Sequence, residues 1–195
     1  MNRIVFIIIL PFLLSLLIVE KAFAQRYLPG QKGIQVTASA IDGFHLSKGD
    51  KQAFAFGIGM ATYNKSGNRW IFGAEYLQKQ FEYSSQYVPV SQFTGEIGYY
   101  KQMLSDYSKT FFVSVGASAM SGYETVNWGE SLLDDGAELT NKDKFLYGGA
   151  IGMEIETFLN DRLVLLVHAR ERILFGSTVS KFRFQYGLGI KFIIN

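Results

Sequence analysis

Glu154 and Glu156 stand two positions apart in the segment MEIE. A carboxylate pair is the minimum equipment for general acid–base catalysis. They alternate with Met153 and Ile155, and polar residues at alternate positions of other segments include Glu75, Glu96, His168, Arg170, Arg172, Arg183 and Lys191. Alternation at period two puts such residues on one face of a strand and the apolar residues on the other. If the strands form one closed sheet, all nine polar groups share its interior. Glu154 and Glu156 then neighbour Arg170, with Arg183 beside it. Arg is suited to multidentate carboxylate pairing in a confined space. The set reads as a lumenal polar network that pairs its own buried charges, and a catalytic pair is the secondary reading.

Other chemistry finds little support. His45 and His168 are the only histidines, there is no cysteine, and no metal-ligand spacing occurs. The stretch GASAM is not a G-x-S-x-G nucleophile elbow. GIGMAT and GLGIKF lie within alternating segments, so their glycines read as small inward residues rather than phosphate loops. No enzyme, cofactor or small-molecule substrate is expected.

The elements that must position these residues are eight alternating segments: GIQVTASAI, QAFAFGIGMATY, RWIFGAEYLQ, QFTGEIGYYKQM, TFFVSVGASAM, FLYGGAIGMEIE, RLVLLVHARER and KFRFQYGLGIKFI. One face of each carries large apolar side chains such as Phe54, Phe56, Ile58 and Met60. The other carries Gly, Ala, Ser and the charges. Short turns (NKSG, LSDYSK, LNDR) follow the second, fourth and sixth segments. The remaining connections are longer: DGFHLSKGDK, KQFEYSSQYVPVS, GYETVNWGESLLDDGAELTNKDK and ILFGSTVSK. Short turns at one end and long loops at the other characterise outer-membrane barrels, whose smallest members have eight strands. The expected fold is all-β: an eight-stranded antiparallel transmembrane (outer-membrane) β-barrel. Large apolar side chains face lipid, and small residues fill a narrow lumen. The first strand must pair with the eighth, because only closure satisfies every backbone group in lipid. Trp70, Tyr63, Tyr99, Tyr100, Phe182 and Phe192 are expected in interfacial girdles. A soluble barrel with these faces reversed is the alternative that periodicity leaves open.

Ahead of this lies MNRIVFIIILPFLLSLLIVEKAFAQ, with a cationic start, an apolar run and an Ala-Phe-Ala cleavage pattern. The run falls short of the ~20 residues of a spanning helix and reads as a cleaved signal peptide over residues 1–24, leaving the barrel domain at 25–195. With 20 Gly, 17 Phe, 11 Tyr and 3 Pro, the composition favours strands. A formal net charge of +2 without a basic patch argues against direct nucleic-acid binding.

The longest loop holds Trp128, Leu132, Leu133, Asp134 and Asp135. Exposed apolar residues there need a partner or a fold of their own, so the loop is a candidate contact surface as well as a plain external loop.

QRYLPGQKG at Gln25–Gly33, GYETVNWGESLLDDGAEL, and FLYGGAIGMEIETFLNDRLVLLVHARERILFG together resemble TraO-type conjugal transfer proteins of Bacteroidetes conjugative transposons. The chain departs from many outer-membrane barrels in ending KFIIN rather than on an aromatic residue. The resemblance implies a non-enzymatic component of a conjugative DNA transfer apparatus, in an anchoring or contact role. Outer-membrane lipids and other conjugal transfer proteins would be its partners. The alternatives are a general outer-membrane barrel for adhesion or envelope maintenance, and a soluble periplasmic ligand-binding barrel.

Overall fold

The computed structural model describes residues 27–42, 53–83, 86–133, 136–140, 143–177 and 180–194. The signal peptide, His45, Asp134 and Asp135 lie outside the described residues. Eight strands form one closed barrel: β1 (Lys32–Ile41), β2 (Ala53–Tyr63), β3 (Arg69–Tyr83), β4 (Gln86–Ser105), β5 (Phe111–Val126), β6 (Lys144–Phe158), β7 (Leu163–Phe175) and β8 (Phe182–Ile194). Each pairs antiparallel with its neighbours in sequence. Closure runs from Lys32↔Ile194 to Ile41↔Gln185, joining β1 to β8.

The faces follow the alternation. Val36, Phe56, Ile58, Phe72, Ile97, Ile151, Phe184 and Leu188 point outward and are exposed. Glu75, Glu154, His168, Arg170, Arg183 and Lys191 are buried in the lumen. A barrel with apolar residues outside and charges inside suits hydrocarbon, not water, so the soluble alternative is excluded. Inward glycines make room for large inward neighbours. A Cβ at Gly116 would sit 2.5 Å from Cγ of Tyr100, so only glycine lets that ring lie across β5.

Three tight turns join strands at the end where β1 begins and β8 finishes: a single 3-10 turn at Lys65–Gly67, residues 106–110, and residues 159–162. In the second, Asp106 Oδ1 accepts the backbone N–H groups of Thr110 and Phe111 at 2.7 and 2.8 Å. In the third, Asn160 Oδ1 accepts those of Arg162 and Leu163 at 2.9 and 2.8 Å. The bond from Arg162 makes an Asx turn at Asn160, while Asp106 closes its longer turn from one side to the other.

The distal end departs from the expected loop pattern. The segment KQFEYSSQYVPVS, expected as a long connection, is largely strand. Pairing of β3 with β4 continues to Tyr83↔Gln86, whereas described pairing of β3 with β2 stops at Ala53↔Lys79. β5 likewise continues to Val126, opposite Val90. β3, β4 and β5 thus project beyond the barrel as a twisted sheet. Tyr, Val and Phe in this stretch favour strand, and the packing described next covers its inner face.

Candidate functional site

Two inward networks and one distal surface hold the residues with chemical potential. The first network lies at the terminal end. Arg69, fully buried, pairs with Glu154 and reaches Glu156 at 3.2 Å and Ser114 Oγ at 3.0 Å. Lys191 pairs with Glu156 and donates to Tyr63 OH at 2.9 Å, and Tyr63 donates to Glu156 at 3.1 Å. An aromatic plug closes the lumen beneath. Tyr27 stacks on Tyr63 at 3.8 Å and meets Phe112 and Phe158, each at 5.1 Å.

The second network lies higher. Arg170 pairs with Glu75 and donates to Glu96 at 2.7 Å and Gln185 at 3.0 Å. Arg172 lies 3.0 Å from Glu75, and Gln185 donates to Glu75 at 2.7 Å and to Ser39 at 3.1 Å. His168 shares a hydrogen bond of 2.9 Å with Ser39. Towards the distal end Gln92 and Ser177 donate to Glu124, each at 2.7 Å. Arg183 faces Asp42 at 3.8 Å, and Lys79 pairs with Asp42 at 2.7 Å.

All nine residues expected in the lumen point there, but their pairing differs from the sequence reading. Glu154 and Glu156 pair with Arg69 and Lys191, not with Arg170, and Arg183 turns to Asp42 instead of Arg170. The reason is geometric. In a narrow barrel an inward side chain meets residues across the lumen as readily as those on the adjacent strand. Sequence order shows only the latter. Arg69 was missed although it shares parity with Gly73 and Glu75 on β3. Gln92, Glu124 and Gln185 were missed as well. Tyr63 and Tyr100, expected in the girdles, are lumenal: both fall on the inward parity of their strands and are buried. Trp70, Tyr99, Phe182 and Phe192 do face outward.

The inward cations Arg69, Arg170, Arg172 and Lys191 pair with the carboxylates Glu75, Glu96, Glu154 and Glu156, and Arg183 turns to Asp42. A buried charge left without a partner is strongly destabilising. The cavity lined by Gln35, Glu75, Glu96, Glu154, His168 and Arg170 holds about 30 Å³. That is room for roughly two waters. Glu154 and Glu156 are each engaged by cations.

The distal surface has its own small core. Leu133, 7% exposed, packs with Val88, Val90 and Val126, with Phe81, Ala137 and Leu139 alongside. Leu133 N–H donates to Ala137 O at 2.9 Å and Leu139 N–H to Ser131 O at 2.7 Å, folding the loop back on the projecting sheet. Leu133 is therefore a packing residue and not an exposed contact. Leu132 and Trp128 remain exposed, Trp128 at 59%. Asn127 and Trp128 adopt left-handed backbone, φ +50° and +55°, in a 3-10 turn over Asn127–Gly129. Such conformations persist only where neighbours enforce them. Here Glu130 N–H donates to Asn127 O at 3.0 Å, and Asp143 accepts from Tyr123 OH at 2.7 Å and from Val126 N–H at 3.2 Å. Those bonds hold the Asp143 carboxyl below the ordinary Asp range, the Tyr123 hydroxyl contributing most.

Residues 28–194 match the sequence profile of the family described as conjugative transposon protein TraO. The chain belongs to this TraO family. No curated protein matches it. Among solved structures, this TraO-family chain is similar to Ail, the attachment invasion locus protein of Yersinia pestis, solved with the heparin analogue sucrose octasulfate. The two share 12% identity and a TM-score of 0.54, over 86% of this chain and 100% of Ail. It is also similar to Neisserial surface protein A, at 14% identity and a TM-score of 0.50, over 83% of this chain and 96% of that one. At these identities the likeness is one of fold, that of a closed antiparallel β-barrel.

Proposed function

We propose that this chain is a non-enzymatic outer-membrane component of a conjugative DNA transfer apparatus, acting in an anchoring or contact role. The family supports the transfer setting and the fold supports the outer membrane. The observation that carries the contact role is the projecting β3–β5 sheet. It is stiffened by its own core and presents Trp128 outward on a constrained turn. A rigid aromatic on an ordered loop is the usual form of an interaction anchor. Among the described residues the lumen is filled by paired charges and an aromatic plug, which leaves no passage for DNA. Any role in transfer is then exerted at surfaces: the distal loops toward a recipient cell, or the tight turns toward other transfer proteins.

In-frame deletion with measurement of mating frequency tests the reading, with the wild-type gene returned in trans. Loss of transfer restored by the gene is expected, and unchanged mating would sink it. A second reading, a general barrel for adhesion, draws on the likeness to Ail, a protein named for attachment. It expects the deletion to reduce surface binding while transfer between premixed, filter-held cells stays normal.

A further inference from the structure

Gly95, on β4, is a glycine that the chain itself does not require. Its φ is not positive. Among glycines of the described strands it alone leaves an added Cβ nothing closer than 3.9 Å, the distance to the backbone oxygens of Gly73 and Ser121. Glycine weakens a strand, and where neither a bend nor internal packing calls for it, it marks the close approach of something from outside. Gly95 faces out of the barrel with Phe93 and Ile97, its exposed neighbours of the same parity. Opposite it are Ala74 on β3 and Ser121 on β5, which also face outward. These three small residues form the floor of a hollow in the lipid-facing surface.

The walls of the hollow are large. On its distal side Phe56, Tyr76, Phe93, Tyr123 and Phe145 lie in register across five adjacent strands as an aromatic shelf. On its terminal side stand Phe72 and Ile97. Two grooves meet at Gly95. One, of about 620 Å³, runs over Ala74 between Phe56, Ile58, Tyr76 and Phe93. The other, of about 400 Å³, passes Phe72 and Ile97 to Ala119 and Ser121. At the shelf, Tyr76 OH donates to Gln78 Oε1 at 2.8 Å and lies 3.3 Å from Ser91 Oγ. Gln78 and Ser91 are the next outward pair towards the distal end. Uncharged donors and acceptors therefore begin where the groove ends.

We propose that this groove binds one acyl chain of a lipid in the distal leaflet, with the chain's ester or amide linkage at Tyr76, Gln78 and Ser91. The face belongs to the apolar belt that meets hydrocarbon, so a lipid chain is the species already in contact with it. The neutral polar set above the groove matches an ester or amide linkage and offers no charge to a protein side chain. A flexible chain reaches the recessed floor, whereas the face of a rigid strand is held off by the shelf and by Phe72. A second copy related through this face by a two-fold axis along the membrane normal sets shelf against shelf and hollow against hollow at one depth, which leaves the floor uncovered. The inference rests on the membrane-facing belt and not on the transfer role.

The test uses the full barrel, purified from outer membranes into mild detergent and weighed by native mass spectrometry. The wild type should retain one acyl lipid, and the retained mass distinguishes a phospholipid from a lipopolysaccharide. Delipidated wild type should regain it from extracted outer-membrane lipid. Gly95→Leu, which fills the floor, should cut retention at least tenfold while heat-modifiable migration persists. Ala119→Leu, further along the groove, should do the same. Ala169→Leu, outward on β7 and away from the groove, should leave retention unchanged. Tyr76→Phe combined with Ser91→Ala should weaken it several-fold by removing the polar handle. Gly95→Ala in phosphatidylcholine vesicles should unfold at no lower urea than wild type, because the glycine serves the lipid and not the sheet. A wild type that retains no lipid, retention that survives both Gly95→Leu and Ala119→Leu, or a Gly95→Ala barrel that unfolds at lower urea would each overturn the inference. So would a photocrosslinking amino acid at Ser121 that captures a second copy or another protein instead of lipid. Mating frequency does not enter these readouts, so this inference and the transfer role fail separately.

Discussion

At the terminal end Tyr27, Tyr63, Phe112 and Phe158 meet inside the sheet, beneath the Arg69–Glu154–Glu156–Lys191 network. At the distal end Leu133 folds back over Val88, Val90 and Val126, on strands that have left the barrel. The first region is bounded by all eight strands, so each buried charge there depends on several others. The second is bounded by three strands and a loop, so its packing can be lost without opening the barrel. The difference teaches where stability and recognition can be separated: the closed end carries the fold, and the projecting end carries a surface.

Arg69→Ala is expected to have the largest effect. It strands Glu154 and weakens the pairing of Glu156, and breaking a buried pair from one side costs about 3–5 kcal/mol. Urea unfolding of the purified barrel should register this loss. Adding Glu154→Gln should return part of it, because the stranded charge is then gone. If Arg69→Ala leaves the midpoint in place, the terminal network is not what secures that end.

Leu133→Ala comes next. Removing a buried leucine costs about 2–5 kcal/mol, here confined to the distal core. Protease cleavage within residues 127–143 should accelerate while heat-modifiable migration is retained. A matching drop in the barrel's own unfolding midpoint would show the two ends to be one cooperative unit, and the contrast would fail.

Trp128→Ala should leave barrel stability within about 0.5 kcal/mol, as for an exposed side chain. If Trp128 anchors a partner, its loss should lower mating frequency about tenfold, the equivalent of roughly 1.4 kcal/mol of contact energy. Normal mating by a folded Trp128→Ala barrel would remove the anchor from the contact proposal.

The smallest effect concerns pH. The Asp143 carboxyl is held below its ordinary range by Tyr123 and Val126. Its tether is therefore complete at any pH above the ordinary Asp range and is lost only as pH falls through the lowered value. Hydrogen exchange at the Val126 amide should stay slow, relative to its intrinsic rate, down to moderately acidic pH and quicken below that. Asp143→Asn should show faster exchange with no such acid step. A step in the Asn variant would assign the effect to another group.

Much of this architecture is legible in the residues. Period-two alternation from Ile34 to Phe192 determines which side chains face lipid and which face the lumen, because a strand turns successive side chains to opposite sides. The backbone's need for partners in lipid determines that β1 meets β8. The same parity, applied to every position, would have placed Arg69, Tyr63 and Tyr100 inside.

Tertiary structure alone decided the pairings. Whether Arg170 meets Glu154 or Glu75 depends on distances across a closed lumen, and a linear sequence does not contain those distances. It also decided that Leu133 is core and Trp128 surface. Two nearby apolar residues in an irregular loop have no period to sort them, and only the inner faces of β4 and β5 determine which is covered.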